Sequence, residues 1–414
     1  MAIIERLVGR SPVTFDWLIS IAVEVHRPLV PRLITLGLAR ASGGDFVWAS
    51  WLNLALSSAA AAIGILVLRR VRGTTRLMDA IFPLTLMSLV QPGLRWGWEI
   101  NHVLVSVIMV AFLLLVIRFR LESPPRWLWF MIVSAALLML SSAPGVAAVP
   151  GILAWLALCS WHLRTTEPRK SAGVAAAVGG LAAALIVYVV TIPGAATSQT
   201  TSPRSVLSRT LRLIGNLGGP HADRLWPWSA VAVLAAVLAT AALIILRVLR
   251  PSEGSGGRDQ ALALLCSGMA VFASVVAIAV GRGASQWDAQ QAVAYVALMV
   301  PVPLWVYLSW ERLSPRWGSV AGAVVLVAAV VAYGLTIDYV PRQQARRVAL
   351  EHELRRQFCS VTEKDLGGRY RYIVLETPTD AEIGRIARVF RMMRTQDLGP
   401  VRCVGGRQVD TPRP

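Results

Sequence analysis

Ten apolar stretches lie between Phe46 and Asp338, and arginine is concentrated in every second connection between them. Because a helix needs about 20 mostly apolar residues to cross the hydrocarbon core of a bilayer, each stretch is a predicted membrane span. The predicted spans cover residues 46–68, 78–93, 102–117, 127–142, 146–162, 172–193, 228–249, 260–281, 290–309 and 318–338. This pattern predicts an all-α polytopic membrane protein.

The position of the arginines predicts the orientation of these spans. Cationic side chains cluster in the connections 69–77, 118–126, 164–170, 247–258 and 312–316, whereas the intervening short connections carry few cations. Lysine and arginine accumulate in the cytoplasmic loops of membrane proteins, so these five connections are predicted to be cytoplasmic. The N-terminal segment and the C-terminal tail are then predicted to lie outside the cytoplasm.

Composition excludes a soluble multi-domain protein of this length and indicates in which kind of membrane the chain lies. Hydrophobic residues make up 55% of the chain and charged residues only 15%. A net charge of +18 would suggest nucleic acid for a soluble protein, but here the cations follow the membrane topology. Membrane lipid is therefore the expected partner, and nucleic acid is not. Lysine occurs only at Lys170 and Lys364; arginine, alanine and valine dominate instead, which is typical of a high-GC bacterium and its plasma membrane.

The spans divide the chain into an outer N-terminal segment (1–45), a transmembrane domain (46–338) and an extracytoplasmic tail (339–414). The N-terminal segment is basic and contains no span, although the topology predicts it outside. We therefore expect a preceding helix to be missing from this chain. In the alternative, the N-terminus is external as it stands and residues 28–41 lie flat on the membrane.

The tail is predicted to be a small α+β unit. Apolar residues at helical spacing predict an amphipathic helix over 342–358 and another over 381–393, and the run RYRYIVLET at 369–377 reads as a strand. Cys359 and Cys403 are predicted to form a disulfide, because both fall on the oxidising side of the membrane. A further amphipathic helix is predicted at 206–217, in an outer loop.

Candidate catalytic residues lie in the N-terminal segment. Asp16, Glu24 and His26 precede a proline-stiffened stretch, with Arg27 beside them. A carboxylate here could take the proton from an acceptor hydroxyl, and His26 could orient it. A solvated interfacial loop is the alternative. A divalent metal shared by His26 is an alternative that the spacing does not support, and no other cofactor is expected.

Two further outer clusters contain candidate substrate-binding residues. The loop 91–102 interleaves charged and aromatic side chains, and the loop 281–295 contributes a cation and a tyrosine. An arginine there could hold a phosphate while an aromatic face stacks on a sugar or an isoprenoid. An aromatic belt with an Arg–Glu pair is the alternative for the first loop. The candidates are Arg95, Trp96, Trp98, Glu99, Arg282 and Tyr295. Asp79 is interpreted as an interfacial cap.

Residues 14–105 resemble a group of uncharacterised bacterial multi-pass membrane proteins. The shared features are EVHRPLVPRL, then GGDF, then DAIFPL and the WGWE loop. These proteins look like members of the GT-C glycosyltransferase superfamily, which uses polyprenyl-phosphate sugar donors. In GT-C enzymes the first outer loop carries the acidic catalytic residue, so the resemblance also implies Asp16, Glu24 and His26. The chain departs from the group at Ala294, where an arginine is expected.

The predicted function is a membrane glycosyltransferase that moves a sugar from a polyprenyl-phosphate donor to an extracytoplasmic glycan or lipid acceptor. The base would deprotonate the acceptor while Arg95 and Arg282 stabilise the departing phosphate. Two alternatives come from other classes of protein. One is a multi-pass transporter or lipid flippase, and the other is a non-catalytic membrane scaffold that acts through its tail.

Overall fold

The structure is a computed structural model of the chain. It describes residues 6, 11–20, 28–42, 47–87, 100–118, 127–191, 202–218, 225–250, 255–281, 295–337, 345, 349–350, 352–369, 380–395, 402–404 and 407–409. The chain forms two compact units. The first consists of Met1–Leu18, Arg32–Trp48 and Asp338–Pro414, and the second of Ile19–Pro31 and Ala49–Ile337.

Helices dominate both units. In chain order they are α1 (Phe15–Ile19), α2 (Leu29–Ala41), α3 (Val47–Arg72), α4 (Ile81–Leu86), α5 (Ile100–Arg118), α6 (Trp127–Met139), α7 (Ala143–Thr166), α8 (Pro168–Thr191), α9 (Pro203–Gly215), α10 (Trp228–Leu249), α11 (Ser255–Gly281), α12 (Val296–Met299), α13 (Pro301–Leu313), α14 (Pro315–Ile337), α15 (Glu363–Arg369) and α16 (Asp380–Thr395). Two 3-10 helices cover Leu77–Ala80 and Asn216–Gly218.

Seven of the described helices are long and apolar enough to cross a membrane: α3, α5, α7, α8, α10, α11 and α14. Each of the ten predicted spans contains a helix. Three of those spans contain only shorter helical segments within the described residues, namely Leu77–Leu86, Trp127–Met139, and α12 with α13. The chain is therefore a multi-pass α-helical protein, and the seven long helices support crossing at those positions.

The exposure of the helices separates a buried core from an apolar surface within the second unit. Most side chains of α5 and α13 are buried. By contrast, α8 exposes large apolar side chains over its last turns, including Ile186 (64% exposed) and Val190 (76%), and α14 does the same at Val324 and Val327. A soluble protein rarely leaves so much contiguous apolar surface in water. Hydrocarbon is the environment that suits these faces.

Close backbone packing holds α7 against α11. A Cβ on Gly151 of α7 would lie 2.6 Å from the backbone nitrogen of Ala270 and 2.6 Å from the carbonyl oxygen of Cys266, both in α11. Only glycine allows this approach, which is the usual way that helices pack inside a membrane. Ser142 caps the start of α7 by accepting a hydrogen bond from the Gly145 N–H at 3.4 Å.

The predicted amphipathic helix of the 194–226 loop is present as α9. It begins three residues earlier than predicted, because Ser202 accepts the Ser205 N–H at 3.2 Å as an N-cap and Pro203 follows at the first helical position. Its apolar side chains Leu213 and Ile214 are buried. The helix packs on α10 and α11, and Arg209 donates to a carbonyl oxygen of α11 at 3.3 Å.

The described part of the tail is a small helical unit with one hairpin. The helix α16 lies where the 381–393 pattern predicts one, and residues 352–357 are helical inside the other predicted tail helix. Phe358 and Phe390 pack edge to face with centroids 6.1 Å apart. Strands β1 (Arg402–Val404) and β2 (Arg407–Val409) pair antiparallel. The strand predicted at 369–377 lies almost entirely outside the described residues.

The cysteines with a described state fall into two kinds. Cys359 is disulfide-bonded, whereas Cys159 and Cys266 are buried free thiols. The sequence has one further cysteine, Cys403. The state of Cys359 agrees with the predicted disulfide of the tail.

Candidate functional site

Polar contacts show which helix ends lie together in the second unit. Gln260, near the start of α11, donates to the carbonyl oxygen of Val116 at the end of α5 at 2.6 Å. Its Oε1 is 3.5 Å from Nε of Arg312 at the end of α13. His162, in the last turn of α7, lies 3.5 Å from Asp259. We refer to this end, which contains the arginine-rich connections, as the basic end.

At the opposite end, His102 and Tyr295, the last residues of the sequence ranges 91–102 and 281–295, lie together. His102 lies in the first turn of α5, and Tyr295 directly precedes α12. Their rings pack at 5.3 Å between centroids with the planes tilted by 55°. Tyr295 is 6% exposed and His102 is half-buried. The starts of α5 and α12 are thus in contact through these two side chains.

Most of the predicted site residues lie outside the part of the chain that the structure describes. These are Glu24, His26, Arg27, Arg95, Trp96, Trp98, Glu99 and Arg282. Their roles therefore remain predictions. Of the predicted site, the structure describes Asp16 and Tyr295.

Asp16 is an exposed side chain in the first turn of α1. Thr14 starts this short helix, since its hydroxyl accepts the Trp17 N–H at 3.2 Å. Asp16 belongs to the first unit and Tyr295 to the second. A solvated carboxylate of this kind contributes little to stability, so a chemical role for Asp16 would not conflict with folding.

A buried ionic network that the sequence did not predict lies at the basic end, and Arg72 and Asp79 form its centre. Nη2 of Arg72, the last residue of α3, donates to both carboxylate oxygens of Asp79 at 2.6 and 2.5 Å. Exposure of the two side chains is 8% and 1%. Asp79 also accepts the backbone N–H of Arg76 at 2.9 Å and so caps the 3-10 helix, which agrees with its interpretation as a cap.

Helix α13 completes the network from a distant part of the sequence. The Tyr307 hydroxyl donates to Asp79 at 2.9 Å and accepts from Arg72 Nη1 at 3.0 Å. Glu311, one turn further on, accepts from Arg72 at 3.3 Å and from Arg76 at 3.0 Å. Two arginines thus face two carboxylates, and every charge has an opposite partner.

Helix α14 closes against this network through two glycines. A Cβ on Gly318 would lie 2.7 Å from the Cα of Glu311, and one on Gly322 would lie 2.8 Å from the ring of Tyr307. A group of paired charges with so little room around it is suited to fastening α3 to α13 rather than to binding a substrate. The network therefore has a structural role. We refer to Arg72, Arg76, Asp79, Tyr307 and Glu311 together as the clasp.

One local signal for this clasp exists in the sequence. Arg72 and Asp79 lie seven residues apart on either side of a short turn, close enough to pair locally. The contribution of Tyr307 and Glu311 depends on which spans are neighbours, and hydropathy alone does not give that information.

Metal binding finds no support among the residues that the structure describes, where no three His, Cys, Asp or Glu side chains are grouped. Comparison of the chain with protein families, with curated proteins and with solved structures finds no match. The fold by itself defines the class: a multi-pass α-helical protein with membrane-spanning helices.

Proposed function

We propose that the chain is a glycosyltransferase of the bacterial plasma membrane that moves a sugar from a polyprenyl-phosphate donor to a glycan or lipid acceptor outside the cytoplasm. The observation that supports the proposal is the packing of Tyr295 on His102, the residues that end the two predicted substrate-binding loops. Residues 14–105 resemble a group of bacterial multi-pass membrane proteins that look like GT-C glycosyltransferases, and this resemblance supports the choice of reaction.

In this proposal the residues of the outer loops have three different roles: general base, phosphate binding and aromatic stacking. One of Asp16, Glu24 or His26 deprotonates the acceptor hydroxyl, which attacks the anomeric carbon as the polyprenyl phosphate leaves. Arg95 and Arg282 offer guanidinium groups that pair with the leaving phosphate. Tyr295 and the tryptophans of the loop 91–102 provide aromatic faces for the sugar or the isoprenoid.

The orientation follows from the arginine-rich connections. The basic end faces the cytoplasm under the positive-inside rule, and the end with His102 and Tyr295 faces outward. The tail after α14 is then extracytoplasmic, where an oxidising environment maintains the disulfide of Cys359.

A transporter or lipid flippase is the second candidate, and one observation favours it. The apolar helix Leu77–Leu86 ends at Met87, whose N–H bonds to the carbonyl oxygen of Pro83 at 2.9 Å. Ten residues rise roughly 15 Å, about half of the hydrocarbon thickness. Apolar helices that are too short to cross the bilayer alone occur in transporters.

One experiment separates the two candidates. The purified protein is reconstituted in liposomes with a panel of radiolabelled polyprenyl-phosphate sugars, and both released polyprenyl phosphate and lipid movement between leaflets are measured. We expect release of polyprenyl phosphate that depends on an added acceptor. Lipid movement without any such release would overturn the glycosyltransferase and favour the flippase.

A further inference from the structure

Helix α9 lies at the end of the second unit that is opposite the basic end. Its Arg209 donates to the carbonyl oxygen of Ala279, in the last turn of α11. A Cβ on Gly215 would lie 3.2 Å from Oγ of Ser229, the second residue of α10. One membrane-spanning helix therefore ends and another begins beside α9, which is the level at which hydrocarbon gives way to lipid headgroups.

The orientation of the spans does not account for the arginines of α9. The helix contains three arginines and no acidic residue. The positive-inside rule concentrates arginine at the basic end, whereas α9 lies at the other end. Arg209 is used in the bond to α11, so the two arginines that need an explanation are Arg204 and Arg212.

Arg204 and Arg212 belong to one exposed face of α9. They are eight residues apart, which corresponds to roughly 12 Å along the helix axis. Both are exposed, and Leu207 between them is 59% exposed. The Arg212 guanidinium lies over the ring of Trp226, 5.8 Å from its centroid. Within the part of the chain that the structure describes, neither arginine forms an ion pair with a carboxylate.

The headgroup layer of a bilayer fits this combination of side chains. Leu207 can enter the acyl boundary while the long arginine side chains extend to the headgroups. Trp228, at the start of α10, is 76% exposed, and tryptophan is enriched at this level of the membrane. An anionic headgroup supplies the charge that the face lacks, because a guanidinium pairs with phosphate oxygens through two parallel hydrogen bonds.

We propose that this face of α9 is a docking surface for anionic phospholipid. The surface consists of Arg204, Leu207, Ser208 and Arg212, and the headgroup phosphate lies against the two guanidinium groups. The inference depends on the position of α9 beside the ends of two spans and does not depend on sugar transfer.

The test uses the full chain in phosphatidylcholine nanodiscs that contain a photoactivatable phosphatidylglycerol. After irradiation, mass spectrometry maps the labelled peptides and quantifies the label on residues 203–215. The variant Arg204→Gln/Arg212→Gln removes both cations from the surface. The matched control Arg388→Gln/Arg391→Gln removes two exposed arginines from α16. Photoactivatable phosphatidylcholine and added inorganic phosphate serve as two further arms.

We expect label on residues 203–215 that excess phosphatidylglycerol suppresses and excess phosphatidylcholine does not. Since each arginine near an anionic surface adds to the attraction, the double variant should lose label on the order of tenfold, with the control within about twofold of wild type. If the double variant does not fold, Arg204→Gln alone decides, with an expected loss of about threefold.

Four results would overturn the proposal. They are no label on residues 203–215, equal labelling by photoactivatable phosphatidylcholine, wild-type labelling of the α9 variant, and an equal loss in the control. Displacement of the lipid by inorganic phosphate would identify a site for a free anion and would also overturn the lipid surface.

Discussion

Removing the carboxylate of Asp79 should destabilise the second unit strongly. Asp79 is 1% exposed and accepts two hydrogen bonds from Arg72, one from Tyr307 and one from the Arg76 backbone. Asp79→Ala leaves the buried guanidinium of Arg72 with the 3.0 Å bond to the neutral Tyr307 hydroxyl and the 3.3 Å contact to Glu311, which lies farther away than Asp79. Breaking a buried pair from one side typically costs about 3–5 kcal/mol, and we expect a loss in the free energy of unfolding within this range.

The measurement is unfolding of the detergent-solubilised protein by titration with sodium dodecyl sulfate, followed by circular dichroism. The matched control is Glu167→Ala, which removes one partner of an exposed ion pair with Lys170 in the same unit. An exposed pair of this kind contributes about 0–1 kcal/mol. A cost for Asp79→Ala no larger than that of the control would refute the assignment of the network as a clasp.

A double-mutant cycle tests whether the two charges act together. Arg72→Ala combined with Asp79→Ala removes both buried charges, so the double variant should cost less than the sum of the single ones. Residues in one ion-pair network usually couple by about 0.5–3 kcal/mol. Costs that add to within about 0.5 kcal/mol would mean that the two side chains are energetically independent.

Three further predictions concern topology, redox state and chemistry. A reporter fused at Glu167 should read cytoplasmic and one at Asp380 external, because the arginine-rich connections set the orientation; a cytoplasmic signal at Asp380 would contradict the topology. Mass mapping without reductant should recover Cys359 and Cys403 in one linked peptide, and two free thiols there would disprove the pairing. Glu24→Gln should lower sugar transfer by roughly 10²–10⁴-fold with expression unchanged if Glu24 is the base, whereas full activity would leave Asp16 and His26 as the remaining candidates.

The sequence predicts the helices of the membrane domain well because hydrocarbon imposes a length and a composition on each span. The start of α10 at Trp228 and its end at Leu249 match the predicted 228–249. The start of α9 was predicted too late, since the apolar periodicity was followed and the capping signal of Ser202 and Pro203 was not.

The contacts between distant helices are the part that could not be predicted. Asp79 was correctly interpreted as a cap, but its bond to Tyr307 joins residues 228 positions apart, and no local pattern encodes that neighbour. Within the predicted binding loops, one contact is observed, between His102 and Tyr295. Both residues lie at the start of a helix. The roles of the remaining loop residues stay predictions.

The clasp also has a consequence for the order in which the chain enters the membrane. At about 5–20 residues per second, Tyr307 is synthesised roughly 11–46 s after Asp79. During that interval the Asp79 carboxylate lies at the boundary of the bilayer, and Tyr307 and Glu311 have not yet been synthesised. Arg72 lies only seven residues away and emerges first, so the local pair can neutralise both charges at once. The local Arg72–Asp79 pair can thus stabilise an early helical hairpin before α13 is synthesised and adds Tyr307 and Glu311 to the network.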